Sequence, residues 1–168
     1  MKIDIAQIRQ EYTRAGLKRC EVPQGPFDLF DTWLQEAIDS GLPEPTAMAV
    51  ATVGPDGRPS MRTVLLKELR EGRFVFFSNY HSRKGRQLAA NPHIALSFFW
   101  YALERQVHIE GIASRLEPEE SDAYFAMRPF GSRIGALASP QSETIPNRAD
   151  LLRRFVSLKN RYEGKNTI

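Results

Sequence analysis

The sequence predicts a mainly β fold with flanking helices, in which an antiparallel β-barrel forms the core. Apolar residues recur at helical spacing within the first 45 residues, and strand-like segments follow one another from residue 46 onward. Tight turns join the first three of these segments, and short connections require antiparallel neighbours because a parallel pair needs a long crossover. Closure into a barrel is predicted because about five strands in series would otherwise leave open edges.

Two amphipathic helices are predicted before the turn-rich stretch at 41–45. Ile5, Ile8 and Tyr12 share one helical face of the first. The second helix follows Pro26, and its apolar face is formed by Phe27, Phe30, Leu34, Ala37 and Ile38.

Five strands are predicted in the middle of the chain because Val, Ile, Thr and aromatic residues are concentrated there. They span residues 46–53, 59–69, 74–79, 93–100 and 105–116. The turn signals Gly54-Pro-Asp-Gly57 and Arg70-Glu-Gly72 join the first three. Gly111 interrupts the fifth strand and predicts a bulge there.

Three later helices have recognisable ends. Ser82 caps a helix that runs to Ala90, Pro118 opens one that ends at Met127, and the last begins near Asn147. The apolar face of the last helix carries Leu151, Leu152, Phe155 and Leu158. One domain over residues 1–168 is expected, with N-terminal helices in 1–45, barrel strands and helices in 46–145 and a C-terminal helix in 146–163.

The composition excludes several classes of protein. Cys20 is the single cysteine, so no intramolecular disulfide can form and a reducing cytoplasm is the expected setting. The N-terminus lacks the continuous apolar core of a signal peptide, and no run is long enough to span a bilayer. His81, His93 and His108 lie far from any metal-ligand spacing, so no metal site is expected.

Positive charge is concentrated locally. The formal net charge is only +3, yet basic residues far outnumber acidic ones between Arg58 and Arg86. A local excess suits a small anionic ligand better than a long nucleic-acid track. A basic nucleic-acid-binding domain is the lower-ranked alternative, and the aromatic block at 98–101 favours core packing because it contains no cations.

The strongest anion-binding signal is Ser82-Arg83-Lys84 at a predicted helix start, where a capping residue, the helix dipole and two cations coincide. Arg62 and Lys67 lie on a predicted strand, and their spacing places them on opposite faces. They therefore contact one ligand only if the ligand wraps around the strand end or the strand twists. The alternative is that both are ordinary basic side chains on a half-buried sheet, with their charged ends in solvent.

A second anion site is possible around residues 124–133. Tyr124 and Arg128 are one helical turn apart and are followed by Ser132 in a predicted loop, so the three could hold a phosphate. The alternative is an amphipathic helix with Tyr124 packed on the core. Gln106 places a neutral amide at a strand start, where it could meet a heteroaromatic ring or simply be exposed.

Seven short motifs, taken in series, resemble the pyridoxine/pyridoxamine 5'-phosphate oxidase family. Their order and spacing match over nearly the whole chain. They are Arg62-Thr-Val-Leu-Leu-Lys67, Ser82-Arg-Lys84, Asn91-Pro92, Leu103-Glu-Arg-Gln-Val107, Arg128-Pro129, Ser132-Arg-Ile-Gly-Ala136 and Ser139-Pro-Gln-Ser142.

This resemblance implies an FMN-binding split β-barrel that works as a homodimer with two flavin sites at the subunit interface. The residues that would bind FMN are Arg62, Thr63, Val64, Leu65, Leu66, Lys67, Phe77, Ser78, Arg83, Lys84, Gln106, Gln141 and Ser142. Those that would hold the substrate phosphate are Lys67, Tyr124, Arg128 and Ser132. Phe77 stands where some relatives have Tyr.

The family reaction moves a hydride equivalent from the substrate C4' carbon to flavin N5, and dioxygen then reoxidises the flavin with release of hydrogen peroxide. Pyridoxal 5'-phosphate is the product, and no general base is assigned. The chain stops at Gly164-Lys-Asn-Thr-Ile168, before the C-terminal strands that the family carries, and is expected to be part of a longer protein; a truncated paralogue is the alternative. A non-catalytic flavin or pyridoxal-phosphate binder of the same fold is therefore the second hypothesis.

Overall fold

The computed structural model describes residues 11, 13, 16–19, 22–23 and 25–165. The predicted helix with Ile5, Ile8 and Tyr12 lies outside the described residues. The elements are α1 (Pro26–Asp39), β1 (Ala47–Val53), β2 (Pro59–Leu65), β3 (Glu68–Arg70), β4 (Arg73–Val75), α2 (Arg83–Ala90), β5 (His93–Trp100), β6 (Arg105–Ile112), α3 (Pro118–Met127), α4 (Phe130–Ala138) and α5 (Arg148–Tyr162).

The main sheet has four antiparallel strands in the order β2-β1-β5-β6, and β3 and β4 form a separate two-stranded sheet. The predicted 59–69 strand is therefore wrong in its extent. The backbone N–H of Leu66 still bonds to Thr46 in the main sheet, whereas that of Lys67 bonds to Val75 in the small one. The chain passes from one sheet to the other between these two residues.

The order of the strands also departs from the predicted meander. β1 lies between β2 and β5, so β5 returns to the main sheet after the small hairpin and α2. β2 and β6 are the two edges of this sheet within the described residues, and the barrel does not close there. The predicted bulge at Gly111 is wrong, because β5 and β6 pair without interruption and Gly111 lies opposite Ile94.

The core lies between the inner face of the main sheet and α1. Alternate residues of β1 and β5 point inward, which buries Val50, Phe98 and Trp100 almost completely. The ring of Phe30 from α1 packs edge-on against Phe98, with centroids 4.9 Å apart. The predicted inner face of α1 is confirmed at the buried residues Phe30 and Ala37 and is wrong at Phe27 and Ile38, which are 44% and 46% exposed.

The later helices follow their predicted caps, with one exception. α3 has the predicted bounds, and Asn147 caps α5 by accepting a hydrogen bond from the backbone N–H of Asp150 at 2.9 Å. Residues 130–138 form the additional helix α4, so Ser132 lies in a helix and not in the predicted loop. No helix in the described part of the chain is both long enough and apolar enough to cross a bilayer.

Candidate functional site

The start of α2 is built as the sequence predicts. Ser82 is fully buried, and its Oγ accepts a hydrogen bond from the backbone N–H of Gly85 at 3.2 Å. The same hydroxyl donates to the carbonyl of Asn79 at 2.6 Å, which ties the helix start to the preceding loop. The loop lies against the helix so closely that a Cβ at residue 85 would be 2.2 Å from the carbonyl oxygen of Tyr80. Only glycine fits this position.

Lys84 is a buried cation with neutral partners. Its side chain is among the buried charged groups, with 7% of the residue exposed. The ammonium donates to Ser78 Oγ at 2.8 Å and to Gln141 Oε1 at 3.0 Å. Burial lowers the pKa of Lys84, and the nearby charge of Arg62 lowers it further. Among the residues that the structure describes, no carboxylate forms an ion pair with this ammonium.

Arg62 is held in the same way by uncharged oxygen atoms. Its guanidinium donates to Thr52 Oγ1 at 2.6 Å, to Ser60 Oγ at 2.7 Å and to the carbonyl of Val50 at 3.2 Å. Burial lowers the pKa of Arg62, and the positive charge of Arg83 lowers it further. Arg62 thus lies within electrostatic reach of both cations at the start of α2.

We name Arg62, Arg83 and Lys84 the cation cluster. In the described part of the chain, every ion pair of 4.0 Å or less involves other residues: Arg58–Asp56, Arg70–Glu68, Arg70–Glu120, Arg105–Glu36 and Arg153–Asp150. Three neighbouring cations without a carboxylate repel one another and bind a multivalent anion well, particularly beside the exposed N–H groups of a helix start. These residues fit an organic phosphate.

Two of the remaining basic residues of this region are paired with carboxylates. Arg58 pairs with Asp56, and Arg70 pairs with Glu68 and Glu120. A surface that tracks a nucleic-acid backbone needs solvated cations in a continuous row. These pairs reduce the unpaired positive charge of the region, and nucleic-acid binding stays the lower-ranked alternative.

The residues predicted for the second phosphate lie along α3, the following turn and α4. Tyr124 is in α3, Arg128 is the C-cap of that helix, and Ser132 is exposed in the first turn of α4. The ring of Tyr124 stacks on Phe77 with centroids 3.6 Å apart and an interplanar angle of 3°. This stack connects the predicted substrate residues to the segment that leads into the cation cluster.

The predicted cofactor residues of β2 divide between two faces of the sheet. Val64 and Leu66 share the inner side with Arg62 and pack on the core. Thr63 is exposed on the outer face, where its cross-strand row runs through Ala49 and Ser97 to His108. Arg62 points inward, as the opposite-face prediction requires. Lys67 is exposed but lies beyond the end of β2 and pairs into the small sheet, so alternation along β2 does not fix its direction.

Gln106 is distant from the cation cluster within one chain. It is exposed on β6, two residues from His108 and hence on the outer face. Three strand spacings of about 4.8 Å separate β6 from β2, or about 14 Å. Gln141 lies instead beside Lys84, and Ser142 follows it in the same turn with a φ of 69°. The fold thus joins Gln141 to the cluster and leaves Gln106 apart.

Sequence reasoning missed Gly85 and Gln87. A glycine three residues after a helix cap is a usable signal, because glycine weakens a helix and is kept where backbone approaches closely. Gln87 gave no such signal, since a glutamine in a short polar helix is ordinarily exposed. In the structure it is 6% exposed and bonds to Thr52 and Ser60.

Comparison with known proteins places these features in a family. The family model described as pyridoxamine 5'-phosphate oxidase matches residues 34–160. A pyridoxine/pyridoxamine 5'-phosphate oxidase of Bacteroides thetaiotaomicron is 60% identical over 162 residues, covering 96% of this chain and 76% of that protein. The protein of the same name from Porphyromonas gingivalis is 50% identical over 165 residues, covering 98% and 77%.

Two solved structures share the fold. PhzG from Burkholderia lata, in complex with tetrahydrophenazine-1-carboxylic acid, has a TM-score of 0.77 at 30% identity, covering 81% of this chain and 67% of that one. A pyridoxamine 5'-phosphate oxidase-related, FMN-binding protein from Nostoc punctiforme has a TM-score of 0.59 at 17% identity, covering 76% and 70%. The second likeness concerns the fold alone.

The antiparallel sheet with flanking helices is that of the FMN-binding split-barrel class. Within that class, the chain belongs to the pyridoxamine 5'-phosphate oxidase family. The predicted family, fold class and cofactor are thereby confirmed, and the chain is an FMN-dependent oxidoreductase.

Proposed function

We propose that the chain oxidises pyridoxamine 5'-phosphate and pyridoxine 5'-phosphate to pyridoxal 5'-phosphate, in the biosynthesis and salvage of vitamin B6 in the cytoplasm. The observation that carries the proposal is the cation cluster, which is built at a helix start and forms no ion pair with a carboxylate in the described part of the chain. Relatives 50% to 60% identical that bear the oxidase name support the same reaction. For the amine substrate, one dioxygen and one water are consumed, and one ammonia and one hydrogen peroxide are released.

The chain's own residues bind and orient the two phosphorylated molecules. Arg62, Arg83 and Lys84 hold the FMN phosphate, and Ser78 and Gln141 fix the ammonium of Lys84 in place for it. FMN, when bound, supplies the two-electron acceptor for the oxidation and passes the electrons to dioxygen.

The remaining residues predicted to bind FMN act in two ways. Thr63 and Leu65 offer side chains on the outer face of β2. Val64, Leu66 and Phe77 are committed to packing, so they contact a ligand through the backbone.

The substrate phosphate is bound by Tyr124, Arg128, Ser132 and Lys67. Arg128 offers a planar fork that suits a phosphate, and Tyr124 is held in one orientation by its stack on Phe77. No general base is assigned, because orientation of the reacting carbon supplies most of the rate enhancement.

We propose a homodimer with a flavin at each subunit interface, and the placement of Gln106 supports it. This residue lies on the outer face, about 14 Å from β2 in its own chain. The same face exposes Phe99 and Met61, at 62% and 71% exposure, which is unfavourable in a monomer. Covering this face with a second copy buries both side chains and brings one chain's Gln106 toward the other chain's flavin.

Loss of the Arg128 guanidinium is expected to affect the phosphorylated substrate selectively. In Arg128→Ala, the KM for pyridoxamine 5'-phosphate rises about 10- to 150-fold, because a charge-assisted contact of roughly 1.5–3 kcal/mol is lost. FMN content stays unchanged. Steady-state oxygen consumption with pyridoxamine 5'-phosphate and with unphosphorylated pyridoxamine measures the selectivity.

Arg154→Ala on α5 is the matched control, since Arg154 is an exposed arginine outside the site. It leaves both substrates unaffected. An Arg128→Ala enzyme whose KM rises equally for both amines contradicts the assignment of Arg128 to the phosphate.

FMN affinity is expected to fall in alkaline solution. The fall begins at a lower pH than it would if Lys84 had the pKa of an ordinary lysine. Burial and Arg62 lower the pKa of Lys84 below its usual 10.5, so the flavin-free protein loses this proton early. A phosphate binds the protonated ammonium, and affinity therefore falls as the pH rises through the lowered value. The free energy of unfolding of the flavin-free protein changes in the opposite direction. Between the lowered pKa of Lys84 and 10.5 the unfolded chain binds more protons than the folded protein, so the contribution of Lys84 to stability rises with pH.

The measurement is FMN affinity at a series of pH values for wild type and for Lys84→Met, which keeps the buried stem volume. Any titration of the flavin itself is common to both proteins. The additional fall in FMN affinity at alkaline pH is expected only in wild type. An equal fall in both proteins would contradict the assignment of Lys84 to the FMN site.

A further inference from the structure

A buried polar network lies beneath α2 and ends at the cation cluster. Gln87 Oε1 accepts hydrogen bonds from Thr52 Oγ1 at 2.6 Å and from Ser60 Oγ at 2.8 Å. Each of these hydroxyls in turn accepts from Arg62, at 2.6 Å and 2.7 Å. Both hydroxyl protons are thus directed to the glutamine, which leaves their lone pairs for the guanidinium.

We propose that Gln87 is a positioning residue for the flavin phosphate: it orients the hydroxyls of Thr52 and Ser60 so that they hold Arg62 in the cation cluster without neutralising it. The inference rests on the proposed function and assigns a role to a residue that contacts no ligand itself. Gln87 Oε1 also lies 3.5 Å from Arg62 Nη2, at the long end of a hydrogen bond. Its main action is therefore through the two hydroxyls.

Arg62 needs such a holder because its neighbours repel it. Arg83 and Lys84 lie close enough to disfavour a third positive charge electrostatically. An unrestrained arginine would swing toward solvent before the phosphate arrives. Holding it in advance removes the ordering cost from the binding step.

The neutral side chain matters as much as the contact. A carboxylate at residue 87 would accept the same two hydroxyl protons, but it would also form an ion pair with Arg62 and repel a phosphate. An amide oxygen keeps the geometry and leaves the positive charge available. The network is also enclosed: Thr52 is fully buried, and a Cβ at Gly54 would lie 3.2 Å from Gln87 Nε2.

The test compares two flavins that differ by one phosphate. Affinities for FMN and for riboflavin are measured by flavin fluorescence on the flavin-free full chain, for wild type, Gln87→Glu and Thr52→Val. Wild type is expected to bind FMN more tightly than riboflavin. In Gln87→Glu, FMN affinity falls about tenfold or more while riboflavin affinity stays within about twofold.

Thr52→Val keeps the shape of residue 52 but removes one of the two hydroxyls, so it lowers the FMN-to-riboflavin ratio in the same direction. It serves as the deciding variant if Gln87→Glu fails to fold. The matched control is Gln35→Glu on the exposed side of α1, which makes the same chemical change outside the site and leaves both affinities unchanged.

Equal loss of both flavins in the variants overturns the inference, because that is the signature of a merely structural glutamine. Unchanged FMN affinity overturns it as well. A wild-type chain that binds neither flavin overturns the proposed function and this inference with it, so the two failures are distinguishable.

Discussion

Replacing Arg83 with alanine and Lys84 with methionine is expected to lower FMN affinity by about 100-fold or more while the fold remains intact. Each substitution removes a charge-assisted contact to the phosphate, worth roughly 1.5–3 kcal/mol, or about 10- to 150-fold in affinity. Methionine keeps the packing of the buried lysine stem, and loss of two cations that each repel Arg62 places no charge in a worse environment. Flavin fluorescence titration of the flavin-free protein gives the affinity, and circular dichroism gives the fold.

The control for this pair removes the same two charges from α5. Arg154→Ala with Lys159→Ala changes exposed residues far along the chain from the cluster. FMN affinity is expected to stay within about twofold of wild type, because exposed charges outside a site contribute little. A double cluster variant that binds FMN as wild type does would contradict the assignment of the phosphate to α2.

Gly85→Ala is expected to lower the free energy of unfolding by about 1–3 kcal/mol, since overpacking of a rigid contact typically costs that much. The added Cβ would lie 2.2 Å from the carbonyl oxygen of Tyr80 and 2.8 Å from that of Asn79. Both obstacles are backbone atoms, so no side-chain rotation relieves them. The loop must move away from α2, which also breaks the bond from Ser82 Oγ to Asn79. Urea unfolding followed by circular dichroism measures the change.

Gly131→Ala is the matched control for the glycine effect. Gly131 is in the first part of α4, and a Cβ there meets nothing within 4 Å. Alanine favours a helix over glycine by roughly 0.5–1 kcal/mol, so this variant is expected to be as stable as wild type or slightly more stable. Equal destabilisation by the two substitutions would show that the close backbone contact at Gly85 is not the reason why alanine is unfavourable there.

Helix ends were predictable because their signals are local. Ser82 and Asn147 cap their own helices through bonds to residues three positions later, and Pro118 begins α3. The split between β2 and β3 was not predictable, because it depends on partners at Thr46 and Val75 that lie elsewhere in the sequence. The strand order has the same origin, since nothing local makes β1 the neighbour of β5.

The candidate site was predictable where the residues that bind the ligand are neighbours in the sequence, as at Arg83 and Lys84. Gln87 was not, because its function depends on Thr52, which is 35 residues earlier. The distance of Gln106 from the cluster also required the sheet register. Residue type and spacing identify what can bind an anion, whereas the neutral partners that keep the cations in place become visible only once the sheet and helix are assembled.

The most direct test of the central claim is an anaerobic titration of the FMN-loaded protein with pyridoxamine 5'-phosphate, followed by admission of air. The substrate is expected to bleach the yellow flavin absorption and air to restore it, with pyridoxal 5'-phosphate and hydrogen peroxide released in equal amounts. Flavin that stays bound and yellow at saturating substrate would contradict it, and would leave a flavin-binding protein without this oxidase activity.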